Sequence, residues 1–516
     1  MSLKKSTKGA VFLFIFAVFV ILIWFFIKPF FVEQSMRLSS DAAHDAVNIR
    51  IGGDNYIGYW FINSHEMRKI AAKKGIRINF TDDGGIYEER LKKFADGEYE
   101  CIVLPVNSYL QHGKKWNYPG VIVAAISESK GADGVVGLNI SSPNINALND
   151  PSLTFVYTAE SPSEFLLDLT IHDFDLDKLR TSNTWRKEVN SSEEVYKMAK
   201  KGQGDIFVAW EPDLSKILDL DNMSYIFGSD NFRGYIIDVF VFSRKFIKSD
   251  RNAIINFFNT YYQVMNIYAN NKEQMLDEIE KSTQLNEEKV KLLLNKIEWY
   301  DLSENSSQMF GIASGAGAFA NDGIVNSIIS CTDVLIDAGV FTIDPLSGDP
   351  YLIVDSSILD ELTKNLNVTS ISKANNTTIS FKKLSEKEWN NLPVVGTFKV
   401  RDITFQSWNN NLDPDGEKTV DKTAALLINN YPNYRIIIRG HTASGGEEKL
   451  NRQRSLERAK AIAQRLIAVY GVDPARIRAE GVGSSMPPEK RADESFRAYQ
   501  YRMNRVEFIA LRENPF

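Results

Sequence analysis

Arg458 stands fifteen residues after Ala443, in a stretch whose polar and small residues follow a fixed spacing: Gly440-His441-Thr442, then Asn451, Ser455, Arg458 and Ala459, then Gly481, Gly483 and Arg505-Val506-Glu507. A guanidinium offers a planar fork of donors that matches a carboxylate bidentately, so Arg458 is a candidate anion receptor. The elements that must hold these residues read as a compact α/β unit. Tyr434 to Ile438 alternates into an apolar strand, Gly440 breaks it, and Leu456 to Tyr470 repeats apolar residues at helical spacing. A strand, loop and helix in that order bring Thr442 and Arg458 near one another.

This order of residues resembles the OmpA-like peptidoglycan-binding domain. In that family an Asp directly after Gly-His-Thr takes the ammonium of the diaminopimelate in the peptide stem, and the Arg fifteen residues later takes its carboxylate. The resemblance implies that Thr442, Asn451, Arg458 and Arg505 contact peptidoglycan. The Asp position is Ala443 here, so the expectation is weakened binding. The alternative is a retained structural module in which Arg458 is a solvated helix residue.

A second set of candidate residues lies in loops far upstream. From Val47 the chain alternates short apolar strands with helical segments: Val47 to Ile51, a helix around Ser64 to Lys74, Ile76 to Phe80, a helix around Glu88 to Ala95, then Cys101 to Leu104. That rhythm implies a parallel sheet covered by helices. In such sheets the ligand crevice forms from loops leaving the carboxyl ends of the strands. These are Gly52 to Trp60, Thr81 to Gly85 and Pro105 to Ser108.

The ordered pieces Gly58-Tyr59, Gly97 to Glu100, Ser129 to Gly134, Ser161 to Leu167, Gly204-Asp205 and Ala209 to Pro212 resemble the solute-binding proteins of nitrate, sulfonate and taurine type ABC importers. The resemblance implies two α/β lobes joined by two crossing strands, with Gly134 to Leu138 and Tyr235 to Phe242 as the crossings. It also implies a cleft lined by Asn55, Tyr56, Tyr59 and Trp60, with Asn107, Ser108 and Ser127 nearby. Ser161 and Ser163 open a helix in lobe two, and helix amino termini attract anions. Glu164 occupies that first turn and competes for its amides. With Trp210 and Glu211 it favours a ligand bearing a cationic or amino group over a simple oxyanion. The alternative is that Glu164 is an ordinary helix-start acid and Trp210 is core.

Upstream of this module, Ala10 to Ile27 runs through eighteen residues without a charged or polar side chain. At about 1.5 Å per residue it nearly spans a bilayer core of about 30 Å, and is predicted to be a transmembrane helix. Lys4, Lys5 and Lys8 precede it and Trp24 sits at its far end, which keeps the amino terminus in the cytoplasm of a bacterial inner membrane and puts everything after Phe31 in the periplasm. A cleaved signal peptide is the rival, but the apolar run exceeds the usual length of about 7 to 15 and continues through Phe31 without a small-x-small cleavage site close behind. The predicted organisation is residues 1–31 as cytoplasmic tip and anchor, 32–46 as stalk, 47–362 as a two-lobed periplasmic-binding-protein type II module, 363–385 as linker and 386–516 as the OmpA-like α/β domain.

Composition narrows the function classes. The chain has 516 residues, 44% hydrophobic and 24% charged, enough for two or three domains with real cores. Residues 431–516 carry sixteen Lys or Arg against ten Asp or Glu, while the whole chain is at −6. The basic residues are interleaved with acids and no nucleic-acid motif is present, so no nucleic-acid partner is expected. An oxidising compartment would allow Cys101 and Cys331 to pair; their apolar and helical surroundings read instead as two free buried thiols. The five histidines are scattered, and no metal or cofactor is expected. A flagellar stator subunit needs a carboxylate in the membrane, and none lies between Ala10 and Ile27. No nucleophile-base pair is discernible, so the chain reads as no enzyme. What remains is a membrane-anchored receptor presenting a small solute to an ABC permease or signalling partner, with a wall-associating end. The runner-up is an envelope tether with a degenerate cleft.

Overall fold

The computed structural model describes residues 46–139, 144–283, 285–312, 322–365, 381–406, 410–491 and 494–513. Lobe one starts with β1 (Val47–Gly53), α1 (His65–Lys73), β2 (Ile76–Asp82), α2 (Tyr87–Ala95), β3 (Cys101–Pro105), α3 (Val106–Gly113) and β4 (Gly120–Ser129). Every position of β3 and β4 is buried, as expected of central strands covered on both faces. Ser64 caps α1 through its side chain, accepting from Met67 N.

The chain then leaves for lobe two, which holds β5 (Asp133–Leu138), β6 (Phe155–Thr158), α4 (Pro162–Asp173), β7 (Arg186–Val189), α5 (Ser192–Lys200), β8 (Ile206–Trp210) and β9 (Met223–Gly228). It returns through β10 (Ile237–Ser243), α6 (Arg251–Asn270), β11 (Ile297–Trp299) and α7 (Gly323–Asp337). The lobe-one sheet has strand order β11-β4-β10-β3-β1-β2 and the lobe-two sheet β7-β6-β8-β5-β9. Strand β1 runs parallel to β2 and β3, and β10 runs antiparallel to β3 and β4. In lobe one, α6 closes the core with Phe257, Phe258 and Tyr261 packed edge-on to Phe240 of β10.

Two expectations are corrected here. Gly134 to Leu138 is the body of β5 and Ile237 to Phe242 the body of β10, each hydrogen-bonded inside a sheet. The crossings are the short links between strands, 130–132 and 229–236. An apolar strand pattern reports burial, and a sheet interior satisfies it as well as a crossing does.

The carboxyl-terminal domain has β12 (Val394–Phe398), α8 (Pro414–Ala425), β13 (Arg435–His441), α9 (Glu448–Tyr470), β14 (Ile477–Gly483), α10 (Phe496–Met503) and β15 (Val506–Leu511), with sheet order β12-β15-β13-β14. Gly440 does not break its strand. It lies inside β13, paired with Gly481 and Val506, and a side chain there would collide with the Ser455 carbonyl of α9. Glycine thus lets the helix lie directly on the sheet.

One cluster of buried side chains runs through both lobes into this domain, and Phe174, the residue after α4, stacks at 4.9 Å on Phe398 of β12. Cys101 on β3 and Cys331 on α7 are free and buried. Among the described residues no helix is long and apolar enough to cross a membrane. The anchor, the stalk up to residue 45 and most of the linker lie outside the described residues.

Candidate functional site

The floor of lobe one is organised by Arg90 of α2, a fully buried side chain. Its guanidinium ties the ends of three strands together: Nη2 donates to Asp54 Oδ2 at 2.9 Å, Nε to Asp83 Oδ2 at 2.6 Å and Nη1 to the Val103 carbonyl at 2.6 Å. Burial would lower its pKa, but the hydrogen bond to Asp83 and the charge of Asp54 raise it overall. Arg90 therefore stays cationic and is saturated by its own carboxylates.

Next to that cluster, Tyr56 and Tyr59 stand edge to face with ring centroids 5.4 Å apart. The Tyr59 hydroxyl donates to Asp238 on β10, which lies opposite Ser127 on β4. The turn brings Tyr56 against Ser127 because position 58 is glycine: a Cβ there would sit 2.7 Å from Ser127 Oγ and overlap the Tyr56 ring. Tyr56 Oη, Ser127 Oγ and Asn107 Oδ1 are buried without a hydrogen-bond partner among the described residues. Ser127 is 0% exposed and Asn107 1%, so neither is satisfied by bulk water.

The carboxylates around Tyr56 give this space its electrostatic sign. Burial pushes Asp238 well above the usual carboxylate range, with Asp54 and Asp133 adding to it. Asp133, the first residue of β5, is raised by burial to about 6, partly offset by the Ser129 hydroxyl donating at 2.6 Å and reinforced by Glu211. The Tyr56 phenol is raised by burial and then by Asp238, Asp133 and Asp54. Carboxyl groups from both lobes, each pushed toward its protonated form by burial, therefore face one buried phenol, and the nearest guanidinium is already committed.

The expected site residues divide into three groups. Tyr56, Tyr59 and Ser127 come together on lobe one, Asn55 lies in the same loop, and Asn107 and Ser108 are buried in the first turn of α3. Trp60 is a correction. Its ring is in the core, 4.9 Å from the Tyr268 ring, because its helical turn faces α6. On lobe two Ser161 caps α4, accepting from Ser163 N at 3.1 Å and donating to the Thr158 carbonyl at 2.7 Å, while Ser163 Oγ and Thr158 Oγ1 are buried and have no partner among the described residues.

Glu164 and Glu211 are already engaged. Glu164 accepts from Glu160 N at 2.6 Å and lies 3.4 Å from Arg186, which also binds Asp168. Glu211 is paired with Lys296 of lobe one and accepts from Ser215 Oγ at 2.8 Å. A carboxylate neutralised in this way has little field left for a ligand. Sequence reasoning missed Asp133 and Asp238, although an aspartate inside the apolar run Tyr235 to Phe242 is itself a signal, since a buried acid needs a reason. The Lys296–Glu211 pair, with Trp299 Nε1 donating to the Gly58 carbonyl at 2.8 Å, latches lobe one to lobe two and braces the Tyr56 turn.

The carboxyl-terminal domain presents the opposite sign. Arg458 of α9 donates to Asn504 Oδ1 at 2.7 Å and lies 4.9 Å over the Phe405 ring, but makes no ion pair among the described residues. Its Nε, Arg505 Nη1 and Thr442 Oγ1 are buried and unpartnered. Burial lowers the Arg458 pKa, and Arg454 adds to the shift. Asn451 Nδ2 holds the loop after Thr442 by donating to the Gly445 carbonyl at 2.7 Å. Glu507 accepts from Arg505 Nε at 3.0 Å and lies 3.1 Å from His441 Nε2. Burial would raise its pKa, but His441 and Arg505 bring it down to about 2.

Residues 404–500 match the model of the OmpA family. The probable lipoprotein YiaD of Escherichia coli is 36% identical over 85 residues, covering 16% of this chain and 38% of that relative. Outer membrane porin F of Pseudomonas aeruginosa is 34% identical over 82 residues, covering 16% of this chain and 23% of the relative. The chain thus spans well under half the length of these curated relatives. Among solved structures, the alkanesulfonate-binding protein SsuA from Xanthomonas axonopodis pv. citri, bound to MOPS, is similar with a TM-score of 0.41 and 12% identity, covering 50% of this chain and 87% of that one. The periplasmic nitrate-binding protein NrtA from Synechocystis PCC 6803 is similar with a TM-score of 0.44 and 11% identity, covering 63% of this chain and 90% of that one.

Proposed function

We propose that this chain is an envelope receptor that captures a small solute bearing an amino or other cationic group between its two lobes and associates with the cell wall through its OmpA-like end. The observation that carries the ligand class is the buried Tyr56 and Ser127 pair faced by Asp238 and Asp133. A cation entering there restores the balance that burial takes from the carboxylates, and it finds unpartnered hydroxyl oxygens as acceptors. Closure of two lobes on such a ligand turns binding energy into a hinge movement that a permease or signalling partner can detect. In the OmpA-like domain Arg458 accepts a stem-peptide carboxylate, Arg505, Thr442 and Asn451 shape its pocket, and Ala443 leaves the ammonium side weak.

In this reading residues 10–27 anchor the chain in the inner membrane. Protease added outside that membrane then removes everything beyond about Phe31, and release of a soluble protein lacking the first forty or so residues makes the segment a signal peptide. A second reading, an envelope tether with a degenerate cleft, is favoured by one observation: Glu164 and Glu211 carry their own cations. A thermal-shift screen with equal panels of small amines and small oxyanions separates the two readings. A true ligand at 100 times its dissociation constant adds about 2.7 kcal/mol to stability. Stabilisation by amines supports the receptor, stabilisation only by oxyanions overturns the ligand class, and none by either panel favours the tether.

A further inference from the structure

The OmpA-like domain does not hang from the two-lobed module but grips its hinge. The returning crossing, residues 229–236, is held along its length by this domain. Arg233 N donates to the Asn430 carbonyl at 2.8 Å, and Asn430 Nδ2 donates back to the Arg233 carbonyl at 3.0 Å. Tyr434 Oη donates to Asn231 Oδ1 at 2.6 Å, and Arg512 pairs with Asp230 at 2.8 Å. Tyr431 Oη and Tyr235 Oη share Asp173 Oδ2 of α4, at 2.6 and 2.9 Å. The outgoing crossing is tied into the same knot, because Ser229 Oγ accepts from Gly131 N at 2.8 Å and lies 2.7 Å from Ser129 Oγ.

The grip extends beyond the crossings. Lys399 reaches Asp337 of α7 at 3.7 Å, and Asp337 also accepts from Arg180 of lobe two at 2.6 Å. Helix α7 rests on both α3 of lobe one and α4 of lobe two. At the wall-facing side, Arg491 pairs with Asp177 of lobe two at 2.8 Å and Glu489 with Lys178 at 3.1 Å. Both lie in the segment whose Met486 carbonyl accepts from Arg505 Nη2 at 3.3 Å. The docking contacts and the wall site therefore share a loop.

We propose that lobe opening and release of the OmpA-like domain are a single two-state transition, so that the occupancy of the cleft sets how the wall-facing loop is held. A hinge opens by large φ/ψ changes in a few connecting residues, and here those residues donate and accept the bonds that dock the domain. Opening must break them, and the coupling is reciprocal: whatever pulls the domain away loosens the lobes. The proposal deepens the receptor reading and rests on its hinge, but its test needs no solute.

Spin labels on introduced cysteines report two distances in the full-length chain. Lys69→Cys with Lys197→Cys spans the lobes, and Lys197→Cys with Lys418→Cys spans lobe two and the OmpA-like domain; these lysines are 49%, 57% and 75% exposed. Native Cys101 and Cys331 are buried and stay unlabelled. Each pair is measured in the parent, in a dock-breaking variant (Tyr434→Phe with Asn430→Ala) and in a latch-breaking variant (Lys296→Ala), whose ammonium pairs with Glu211 of lobe two and takes no part in the bonds that dock the OmpA-like domain. In either variant both distances should gain a longer population, at least about fivefold above the parent, the lower end of ordinary coupling between sites. One distance changing without the other overturns the coupling. No change of either distance in both variants also overturns it, showing a rigid block. Neither outcome bears on whether amines stabilise the cleft, so the two proposals fail separately.

Discussion

The buried region around Tyr56 and the region around Arg458 both hold buried polar atoms without partners among the described residues, yet the unpaired groups are of opposite kind. Beside Tyr56 the guanidinium of Arg90 is consumed by Asp54 and Asp83, and Asp133 and Asp238 make no ion pair among the described residues. In the carboxyl-terminal domain Glu507 is consumed by His441 and Arg505, and Arg458 makes no ion pair among the described residues. Ligand class follows from the charge left over after internal pairing. A count of acids and bases near a site does not reveal it, as Glu164 and Glu211 show. The comparison also separates stability from recognition, because a consumed charge supports the fold while a leftover one strains it.

The largest expected effect tests the consumed side of that comparison. Arg90→Ala leaves Asp54 and Asp83 buried without their partner, a class of change that removes about 3 to 5 kcal/mol. Arg458→Ala, which breaks no ion pair and loses its contact with Phe405, should cost about 1 kcal/mol or less. Urea denaturation of both variants checks the contrast, and equal losses would remove it.

Asp133 tests the leftover side. Its folded pKa of about 6 lies above the unfolded value of 3.8, so the folded protein binds the extra proton between those values. The stability associated with protonated Asp133 is fully present below about pH 4 and is lost as pH rises through 6. Asp133→Asn should therefore stabilise the ligand-free protein by about 2 to 3 kcal/mol at pH 8 and by little at pH 4, at about 1.4 kcal/mol per pKa unit. A variant equally stable relative to the parent at both pH values would show that Asp133 is solvated.

For the pocket, Ala443→Asp should strengthen sacculus pull-down by residues 386–516, and Arg458→Ala should abolish it. A charge-assisted hydrogen bond to the ammonium contributes about 1.5 to 3 kcal/mol. Tight binding by the parent, unchanged in Ala443→Asp, means that another residue already supplies the charge.

How much of this was legible in the sequence follows from the range of the interactions. The strands and helices of lobe one were readable because period and capping are local: Ser64 before α1 and the apolar run of β3 announce themselves. The OmpA-like segment was readable from its spacing of small and polar residues. Gly440 was misread because its role, close approach of α9 to β13, is a tertiary contact with no local signature. The carboxylates that set the sign of the cleft, Asp133 and Asp238, are far apart in the chain and meet only through the crossings. Arg186 and Lys296, which cancel Glu164 and Glu211, are likewise distant in sequence. The docking of Tyr431, Tyr434 and Asn430 onto the hinge joins two modules built on separate sheets, so neither pattern points to the other.

The smallest expected effect isolates recognition within the cleft itself. With whichever amine the thermal screen identifies, Asn107→Ala or Trp210→Ala should weaken binding about tenfold, or 1.4 kcal/mol, without unfolding the module. Glu164→Gln should change the affinity less than twofold. Its carboxylate lies beside Arg186 and accepts from Glu160 N, and a partly exposed pair of this kind contributes about 0 to 1 kcal/mol. Titration calorimetry on the three variants orders them. If Glu164→Gln costs as much as Asn107→Ala, the pair with Arg186 breaks when the ligand enters, and internal pairing is then a poor guide to which charges a ligand meets.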